Sequence, residues 1–522
     1  MYGKMISACL HGIEGKLIQV EVDIASGLPH IALVGLPDTA VRESAERVRA
    51  AVRNSGFTFP MERITVNLAP ADLRKEGSAF DLAIAAGILM TSGQIRGRWQ
   101  EHCLLLGELA LDGTIRPVPG VLSMVHKARL SGIPAVALPA DNVDEARVIE
   151  GIRVYGLRHL RELALEDEAQ LFAAGYGSAG MERDDERVSC RNRDPGVGFG
   201  EDYADVSGQL AAKRALMIAA AGMHNVLLIG PPGTGKTMLA RRLPTIMPEL
   251  GEEEALEVTK LYSVSGKLGS GTGLIRERPF RAPHHSISPA GLVGGGGVPK
   301  PGEASLAHRG VLFLDELPEF ARAVLEGLRQ PLEDRFITIG RARAVYTYPA
   351  QFLLAASMNP CPCGYYGSTG EPGCSCSAIK VQQYRARVSG PLLDRIDLHV
   401  DVPKPEYRWF HGENGPRLSS AEMNAGVQSA RLRQLQRYAG TGLLYNAELS
   451  GALLRIHCRL DPDSEGLLKK SFEAYGLSAR AHDRVLKIAR TIADLEGSEQ
   501  IELPHVAEAL QYRSLDRKQA CY

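Results

Sequence analysis

The residues best suited to chemistry form an eight-residue segment that fits the phosphate-binding pattern G-x-x-x-x-G-K-[ST]. It follows the apolar run 226–229 and precedes the helix-like stretch 238–242, which is the strand–loop–helix context that this motif requires. Its glycines let backbone N–H groups surround phosphates, its lysine reaches the β- and γ-phosphates, and its threonine hydroxyl ligates Mg²⁺. The pattern predicts a nucleoside triphosphate site for ATP and Mg²⁺, formed by Gly230, Pro231, Pro232, Gly233, Thr234, Gly235, Lys236 and Thr237.

A second apolar run, 311–314, ends in two carboxylates. Four successive apolar residues are typical of a central parallel strand that is covered on both faces. At its carboxyl end Asp315 would hold Mg²⁺, and Glu316 would orient and deprotonate the attacking water. This pattern favours hydrolysis over passive nucleotide binding, although an Asp-Glu pair also opens many helices.

Two further polar residues follow strand or turn patterns. Asn359 comes after the apolar run 352–357, where its amide would contact the γ-phosphate or the attacking water, although Asn-Pro also marks an ordinary turn. Arg395 lies between Asp394 and Asp397. It would act as an arginine finger on the nucleotide of a neighbouring subunit or form a local ion pair, and spacing alone leaves both readings open.

Four cysteines lie in two C-x-C pairs separated by ten residues. Four thiolates can close a tetrahedral Zn²⁺ site that fastens a loop. The spacing is tighter than the usual two to four intervening residues, and free or redox-labile thiols are the alternative. The candidate zinc ligands are Cys361, Cys363, Cys374 and Cys376.

Composition sets limits on the other functions. The 522 residues allow three or so domains, and a net charge of −1 means that any nucleic-acid binding must come from local patches. No apolar run approaches the roughly 18–20 residues that span a bilayer. The first residues lack the apolar core of a signal peptide, and nine cysteines in so long a chain do not form a disulfide scaffold. We therefore expect a cytoplasmic protein with no membrane association.

The elements that position these residues fall into three parts. A charged and glycine-rich stretch, 175–204, is typical of a linker. Before it, capping residues and apolar spacing predict a helix over 38–54, a buried helix over 81–90, and strands over 64–68 and 103–109. After the nucleotide motifs, Ser419 and Glu422 form a capping-box pattern, and the last stretch, about 447–515, has the periodicity of helices.

Several longer motifs carry a family resemblance. They are DVSGQ at 205–209, FRAPHHS at 280–286, GEASLAH at 302–308, LDELPEF at 314–320 and MNPCPCG at 358–364. With them the chain resembles, over essentially its whole length, the ComM/YifB family of Mg-chelatase-like AAA+ ATPases. The resemblance implies an α/β fold with an AAA+ P-loop NTPase core, an N-terminal Lon-protease-like (S5-type) α/β domain and a C-terminal helical lid. The implied boundaries are 1–174 for the first domain, 175–204 for the linker, 205–410 for the core with the cysteine cluster at 361–376, and 411–522 for the lid.

The resemblance also implies roles for single residues. Lys236 and Thr237 would bind nucleotide and Mg²⁺, and Asp315 and Glu316 would act in hydrolysis. Asn359 would sense the γ-phosphate. Arg395 would be the finger that acts on the next subunit, and Arg480 would be the sensor arginine of the lid, with Arg484 as its rival.

The N-terminal domain departs from an active Lon protease. Ser78 lacks the Pro-Ser-Ala-Gly setting of the nucleophile, and Leu122 stands where the protease would place its lysine. A serine without a base to take its proton is a poor nucleophile. We therefore expect a binding or ring-forming domain with no peptidase activity.

The family implies a hexameric ring ATPase that drives DNA branch migration in natural transformation. Strand-like residues at 336–339 and 345–348 predict a β-hairpin with Arg341 and Arg343 near its tip. In related ring helicases such a hairpin projects into the pore, where repeated arginines would follow DNA phosphates; a solvated hairpin tip is the alternative. A metal-chelatase motor and a protein-remodelling ATPase without DNA are the alternatives.

Overall fold

The computed structural model describes residues 1–95, 102–164, 201–269, 273–296, 299–341, 344–367, 373–404, 417–513 and 515. The described residues divide into two compact units. Unit 1 contains those within 1–192 and 255–275, and unit 2 contains those within 193–254 and 276–522. The boundaries that the sequence suggests for three domains stay predictions, and most of the proposed linker lies outside the described residues.

The described strands are β1 (Tyr2–His11), β2 (Glu14–Ala25), β3 (His30–Val34), β4 (Arg63–Ala69), β5 (Cys103–Leu105), β6 (Glu108–Leu109), β7 (Ile115–Arg116), β8 (Ala135–Pro139), β9 (Arg153–Leu157), β10 (Val226–Ile229), β11 (Phe280–Arg281), β12 (Gly294–Gly295), β13 (Lys300–Pro301), β14 (Val311–Leu314), β15 (Phe336–Arg341), β16 (Ala344–Pro349), β17 (Leu353–Met358) and β18 (Leu398–Asp401).

The described α-helices are α1 (Thr39–Asn54), α2 (Asp81–Thr91), α3 (Val121–Leu130), α4 (Val143–Ala146), α5 (Leu210–Gly222), α6 (Lys236–Arg241), α7 (Leu243–Ile246), α8 (Glu252–Val264), α9 (Pro289–Val293), α10 (Glu303–Leu306), α11 (Arg322–Gly327), α12 (Arg329–Asp334), α13 (Ala378–Arg385), α14 (Gly390–Leu393), α15 (Ser420–Arg437), α16 (Gly451–His457), α17 (Pro462–Tyr475), α18 (Ala479–Glu496) and α19 (Leu503–Gln511). None of the helices in the described ranges combines the length and the apolar character that a membrane span requires.

Unit 1 is built on a seven-stranded mixed sheet in the order β3-β4-β2-β1-β5-β8-β9. The predicted helix over 38–54 is confirmed as α1, because Asp38 Oδ1 accepts a hydrogen bond from the Val41 N–H at 2.7 Å and caps it. The predicted buried helix is confirmed as α2, whose residues are nearly all buried. A short ladder of β6 and β7 stands apart from the main sheet.

The single strand predicted over 103–109 is wrong. The structure divides it into β5, which belongs to the main sheet, and β6, which pairs with β7. The cause is Gly107, whose N–H donates to Ala79 O at 3.0 Å and whose carbonyl accepts from the Leu82 N–H at 3.1 Å. These bonds to the start of α2 take the backbone of Gly107 out of the ladder.

Unit 2 contains a five-stranded sheet in the order β11-β14-β17-β10-β18, and its ladders are all parallel. Every residue of β10, β14 and β17 is buried. Successive residues of β10 pack into different core clusters, since Val226 and Leu228 face one and Leu227 and Ile229 face the other. Both faces are therefore covered, as the uninterrupted apolar runs predict.

The order of this sheet places a binding crevice. β10 is the first strand of this sheet in the sequence, yet it lies between β17 and β18. Later strands therefore lie on both sides of it. In open parallel sheets of this kind, ligands bind outside the carboxyl ends of the strands where the order reverses. The crevice expected here begins directly after Ile229.

The C-terminal helices are those that the sequence predicts. Ser419 caps α15 and Glu422 reaches back to the Ser419 N–H at 2.8 Å, which forms the predicted capping box. The apolar face of α18 is fully buried. Asp494 on α18 is also fully buried and pairs with Arg437 at 2.5 Å and Arg490 at 3.1 Å.

Candidate nucleotide-binding and catalytic site

The phosphate loop joins the carboxyl end of β10 to α6. Gly233 and Gly235 have φ angles of +76° and +86°, a region that residues with a Cβ rarely adopt. A Cβ on Gly230 would lie 2.2 Å from Val402 O. These glycines are therefore needed for the loop to take this path, and the path is what exposes its N–H groups to phosphate.

The Lys236 side chain lies within the loop. Its Nζ donates to Gly230 O at 2.7 Å and Pro231 O at 2.8 Å, and it is 3.3 Å from Asn359 Oδ1. Burial lowers the pKa of the Lys236 ammonium, and the negative charges of Asp315 and Glu316 oppose this shift. A cation held over backbone carbonyls next to two carboxylates is well placed to transfer its hydrogen bonds to phosphate oxygens.

The residues expected to hold Mg²⁺ are in direct contact. Thr237 Oγ1 donates to Asp315 Oδ2 at 2.9 Å, and the Ser357 hydroxyl donates to the other oxygen of Asp315. A hydroxyl and a carboxylate at a phosphate site are the oxygen ligands that Mg²⁺ takes, so these residues fit the ion. When bound, Mg²⁺ neutralises charge on the β- and γ-phosphates.

Glu316 has an unusual backbone conformation. Its φ of 55° and ψ of 50° lie in the left-handed region, which costs a residue with a Cβ roughly 1–2 kcal/mol. The Glu316 N–H donates to Asp315 Oδ1 at 3.1 Å and to Ser357 Oγ at 3.3 Å, which holds this bend. The carboxylate, with 60% of the side chain exposed, lies 3.9 Å from His285 Nδ1. It is therefore open to a water molecule next to the phosphate loop.

Arg395 lies at the end of the parallel strands that is opposite to the phosphate loop. It precedes β18, and its carbonyl accepts a hydrogen bond from Asn225 Nδ2 at 2.9 Å, just before β10 begins. β10 and β18 run parallel in register, so the length of β10, about 10 Å at 3.3 Å per residue, separates this end from the loop. Arg395 and the phosphate loop therefore lie at opposite ends of β10.

The two candidate lid arginines have different surroundings. Arg480 is 62% exposed and lies 3.6 Å from Glu333, the same carboxylate to which Arg395 donates. Arg484 is only 14% exposed and pairs with Asp397 at 2.9 Å. Arg480 thus shares the carboxylate of Glu333 with Arg395, at the strand ends away from the phosphate loop. Arg484 instead is held in a buried ion pair.

The four cysteine sulfurs converge. The Cys361–Cys374 and Cys363–Cys374 distances are 3.7 and 3.6 Å, and all four sulfur atoms lie within 4.8 Å of one another. A tetrahedron with 2.3 Å Zn–S bonds has edges of about 3.8 Å, so the cluster fits zinc. A hydrogen bond from the Tyr365 N–H is the main cause that lowers the pKa of Cys363 to about 6, while the pKa values of the neighbouring Cys374 and Cys376 are raised.

The predicted hairpin is present. β15 and β16 pair antiparallel from Phe336 opposite Pro349 to Arg341 opposite Ala344. Arg341 is exposed near the tip and donates to Gly296 O in the glycine-rich loop. Arg343 lies outside the described residues.

In unit 1 the serine expected to be inactive has an acidic partner. Ser78 Oγ donates to Glu108, while Leu122 is buried on α3. The nearby Lys75 donates to the carbonyls of Pro70 and Leu73.

Two residues of these sites were not predicted from the sequence. Ser357, which joins Asp315 to the Glu316 backbone, is the fifth residue of β17, and only its polarity within an apolar strand could have drawn attention to it. Glu333 gave no signal, because an acidic residue at the end of a helix is ordinary. Its contacts with Arg395 and Arg480 exist only in the folded chain.

A doubly wound parallel sheet, with a phosphate loop after its first strand and an acid at the end of a nearby strand, defines a P-loop nucleoside triphosphatase. Family models agree with this class. "Magnesium chelatase, subunit ChlI" matches residues 202–409, "Subunit ChlI of Mg-chelatase" matches 20–142, and "Magnesium chelatase, subunit ChlI C-terminal" matches 417–513.

Relatives extend over nearly the whole chain. YifB of Escherichia coli is 43% identical over 506 residues, which are 97% of this chain and 96% of that protein. Competence protein ComM of Haemophilus influenzae is 43% identical over 507 residues, with the same coverage. Lon protease 2 of Bacillus subtilis is 32% identical over 152 residues, 27% of each chain. The chain belongs to the ComM/YifB family of Mg-chelatase-like AAA+ ATPases, as the sequence motifs predict.

Proposed function

We propose that this protein is a hexameric ring ATPase that translocates on DNA, and that it acts as a helicase in branch migration during natural transformation and recombination. The ring is supported mainly by the position of Arg395, which lies at the strand ends away from its own phosphate loop. This placement favours an action of Arg395 on the nucleotide of another subunit. The name of the ComM relative, a competence protein, supports the link to transformation.

The contacts at the phosphate loop support a mechanism of ATP hydrolysis. Lys236 binds the β- and γ-phosphates, and Thr237 with Asp315 holds Mg²⁺. Glu316 takes a proton from the attacking water while Asn359 fixes the γ-phosphate. Arg395 and Arg480 of a second copy stabilise the charge that develops on the transferred group.

A matched substitution tests the assignment of the lytic residue. Glu316→Gln keeps the size and hydrogen-bonding capacity of the side chain but removes the base, so turnover should fall to about one hundredth or less while nucleotide stays bound. Unchanged hydrolysis would show that another residue activates the water.

The DNA contact rests on the β15–β16 hairpin. Arg341 is exposed near its tip, and with Arg343 it would give each subunit two positive charges. Six such tips around a pore would follow phosphates without reading bases.

The test is ATP hydrolysis with and without single-stranded or forked DNA. We expect DNA to stimulate the wild type, and Arg341→Ala/Arg343→Ala to lose that stimulation while basal turnover is retained. Arg53→Ala, which removes an exposed arginine from α1, is the matched control. If DNA neither binds nor stimulates, the helicase proposal fails.

The cysteine cluster is proposed to hold zinc as a structural ion. Gly364, which follows the first cysteine pair, packs on Pro232 of the phosphate loop, where a Cβ would come within 2.6 Å of Pro232 Cδ. Zinc would thus fix a segment that borders the nucleotide site. Metal analysis of reduced protein should give one zinc per chain, and protein without zinc would remove this part of the proposal.

The names of the matching family models favour one alternative, a motor of the magnesium chelatase type that inserts a metal ion into a macrocycle. Such a motor needs no DNA. ATP hydrolysis that is not stimulated by DNA but is stimulated by macrocycle-binding partner subunits would favour this alternative.

A further inference from the structure

The carboxylate of Glu333 lies between two arginines in unit 2. Arg395 Nη2 donates to its Oε1, and Arg480 Nη2 is 3.6 Å from the same oxygen. The Glu333 side chain is 47% exposed, while that of Arg395 is only 5% exposed. A solvent-accessible anion is therefore paired with a buried cation, whose Nη1 also donates to Pro391 O at 2.5 Å.

The same residues border a cavity of about 330 Å³. Within the part of the chain that the structure describes, Arg395 Nε and Arg484 Nη1 are buried there without a hydrogen-bond partner. Asp397 pairs with Arg484, and Glu448 lies 3.5 Å from Arg335, which leaves Glu333 as the carboxylate that serves Arg395. The charged residues of the lining are four cations and three acids, namely Arg335, Arg395, Arg484, Lys487, Glu333, Asp397 and Glu448.

We propose that Glu333 occupies, in the free subunit, the place that the terminal phosphate of a nucleotide on a second copy of this chain takes in the assembly. Carboxylates and phosphates are bound by arginine in the same manner, through charge-assisted N–H···O bonds. Because Glu333 is half-exposed, it can turn away into water when a phosphate arrives. This inference rests on the proposed function, since it requires Arg395 and Arg480 to act between subunits.

The position of Glu333 in the chain gives this exchange a mechanical consequence. Glu333 is in the last turn of α12, and Arg335, with a φ of +64°, turns the chain from α12 into β15. The Arg335 carbonyl accepts from the Ala350 N–H at 2.8 Å, which closes the base of the hairpin. Release of Glu333 frees the end of α12 next to that base, so the nucleotide of one subunit can change the setting of the hairpin in the next.

Glu333→Gln tests the exchange. The variant keeps an acceptor for Arg395 but removes the charge that competes with phosphate. Sedimentation of full-length protein with a non-hydrolysable ATP analogue should show assembly at about fivefold lower protein concentration than the wild type, since a partly exposed ion pair contributes about that factor. The stimulation of ATP hydrolysis by DNA should fall toward one, because basal turnover rises. Asp334→Asn, which removes the same charge from the next residue, should change neither value.

The outcomes separate the two proposals. Wild-type protein that does not assemble with nucleotide contradicts the proposed function itself. Assembly of the wild type with an unchanged or higher midpoint for Glu333→Gln, in protein that melts like the wild type, overturns the role of Glu333 alone. A lower melting temperature for Glu333→Gln without easier assembly would mark Glu333 as a purely structural partner and also overturn the inference.

Discussion

Substitution of the two rival lid arginines separates a structural role from a catalytic one. Arg484→Ala removes the partner of Asp397, whose side chain is 11% exposed. Burial alone would raise the pKa of Asp397, yet His224 and Arg484 hold it well below its ordinary value. The carboxylate is therefore charged in the folded protein and would lose its closest cation.

The size of the effect follows from the partners that remain. Removal of one member of a buried ion pair costs about 3–5 kcal/mol. Asp397 keeps a hydrogen bond from the Asn225 N–H at 3.0 Å and a contact with His224 at 3.6 Å, which puts Arg484→Ala at the lower end. A loss of about 3 kcal/mol lowers the melting temperature of a 150–250-residue domain by roughly 6–12 °C. Arg480→Ala breaks only an exposed contact and should cost less than about 1 kcal/mol.

Thermal melting with and without nucleotide, together with ATP turnover at a temperature where both variants are folded, measures the difference. We expect Arg484→Ala to melt early and Arg480→Ala to melt like the wild type but lose turnover. A stable Arg484→Ala protein that has lost turnover, beside a fully active Arg480→Ala protein, would show that Arg484 is the catalytic residue and Arg480 is not.

Other substitutions and reagents give further tests. Lys236→Ala should abolish the binding of a fluorescent ATP analogue without lowering the melting temperature, because its two shortest hydrogen bonds go to carbonyls of its own loop; retained binding would contradict its role. Asp494→Ala leaves the buried Arg490 and the partly buried Arg437 without their carboxylate and should destabilise the lid by about 3–5 kcal/mol in denaturant unfolding, whereas a change below about 1 kcal/mol would contradict this expectation. Burial raises the pKa of Cys9 and of Cys458 to about 12, so mass spectrometry should find both thiols unmodified by iodoacetamide at pH 8 while metal-free Cys363 reacts.

Much of unit 2 could be predicted from local patterns. The apolar runs before the phosphate loop and before Asp315 are fully buried strands because both sheet faces are covered. Such strands appear in the sequence as uninterrupted apolar runs, without alternation of apolar and polar residues. The caps at Asp38 and Ser419 fix helix starts through bonds within four residues. These signals depend only on residues close together in the chain, so they can be recognised in the sequence.

What could not be predicted depends on distant contacts. The split of 103–109 is caused by hydrogen bonds between Gly107 and residues near 80. The meeting of Arg395 and Arg480 on Glu333 brings together residues separated by 62 and 147 positions. Spacing along the chain cannot show such contacts, which is why it left the finger and the local ion pair as equal readings of Arg395.

We propose that each nucleotide site is completed by an arginine of another subunit. Mixing two inactive variants distinguishes a shared site from a site within one subunit, since Lys236→Ala lacks the phosphate loop lysine and Arg395→Ala lacks the finger. In mixed assemblies, an Arg395→Ala subunit supplies the intact loop and its Lys236→Ala neighbour supplies the arginine. We predict that each variant alone is inactive and that an equal mixture regains ATP hydrolysis at roughly one quarter of its interfaces. No recovery in assembled mixtures, or wild-type turnover by Arg395→Ala alone, would contradict the shared site.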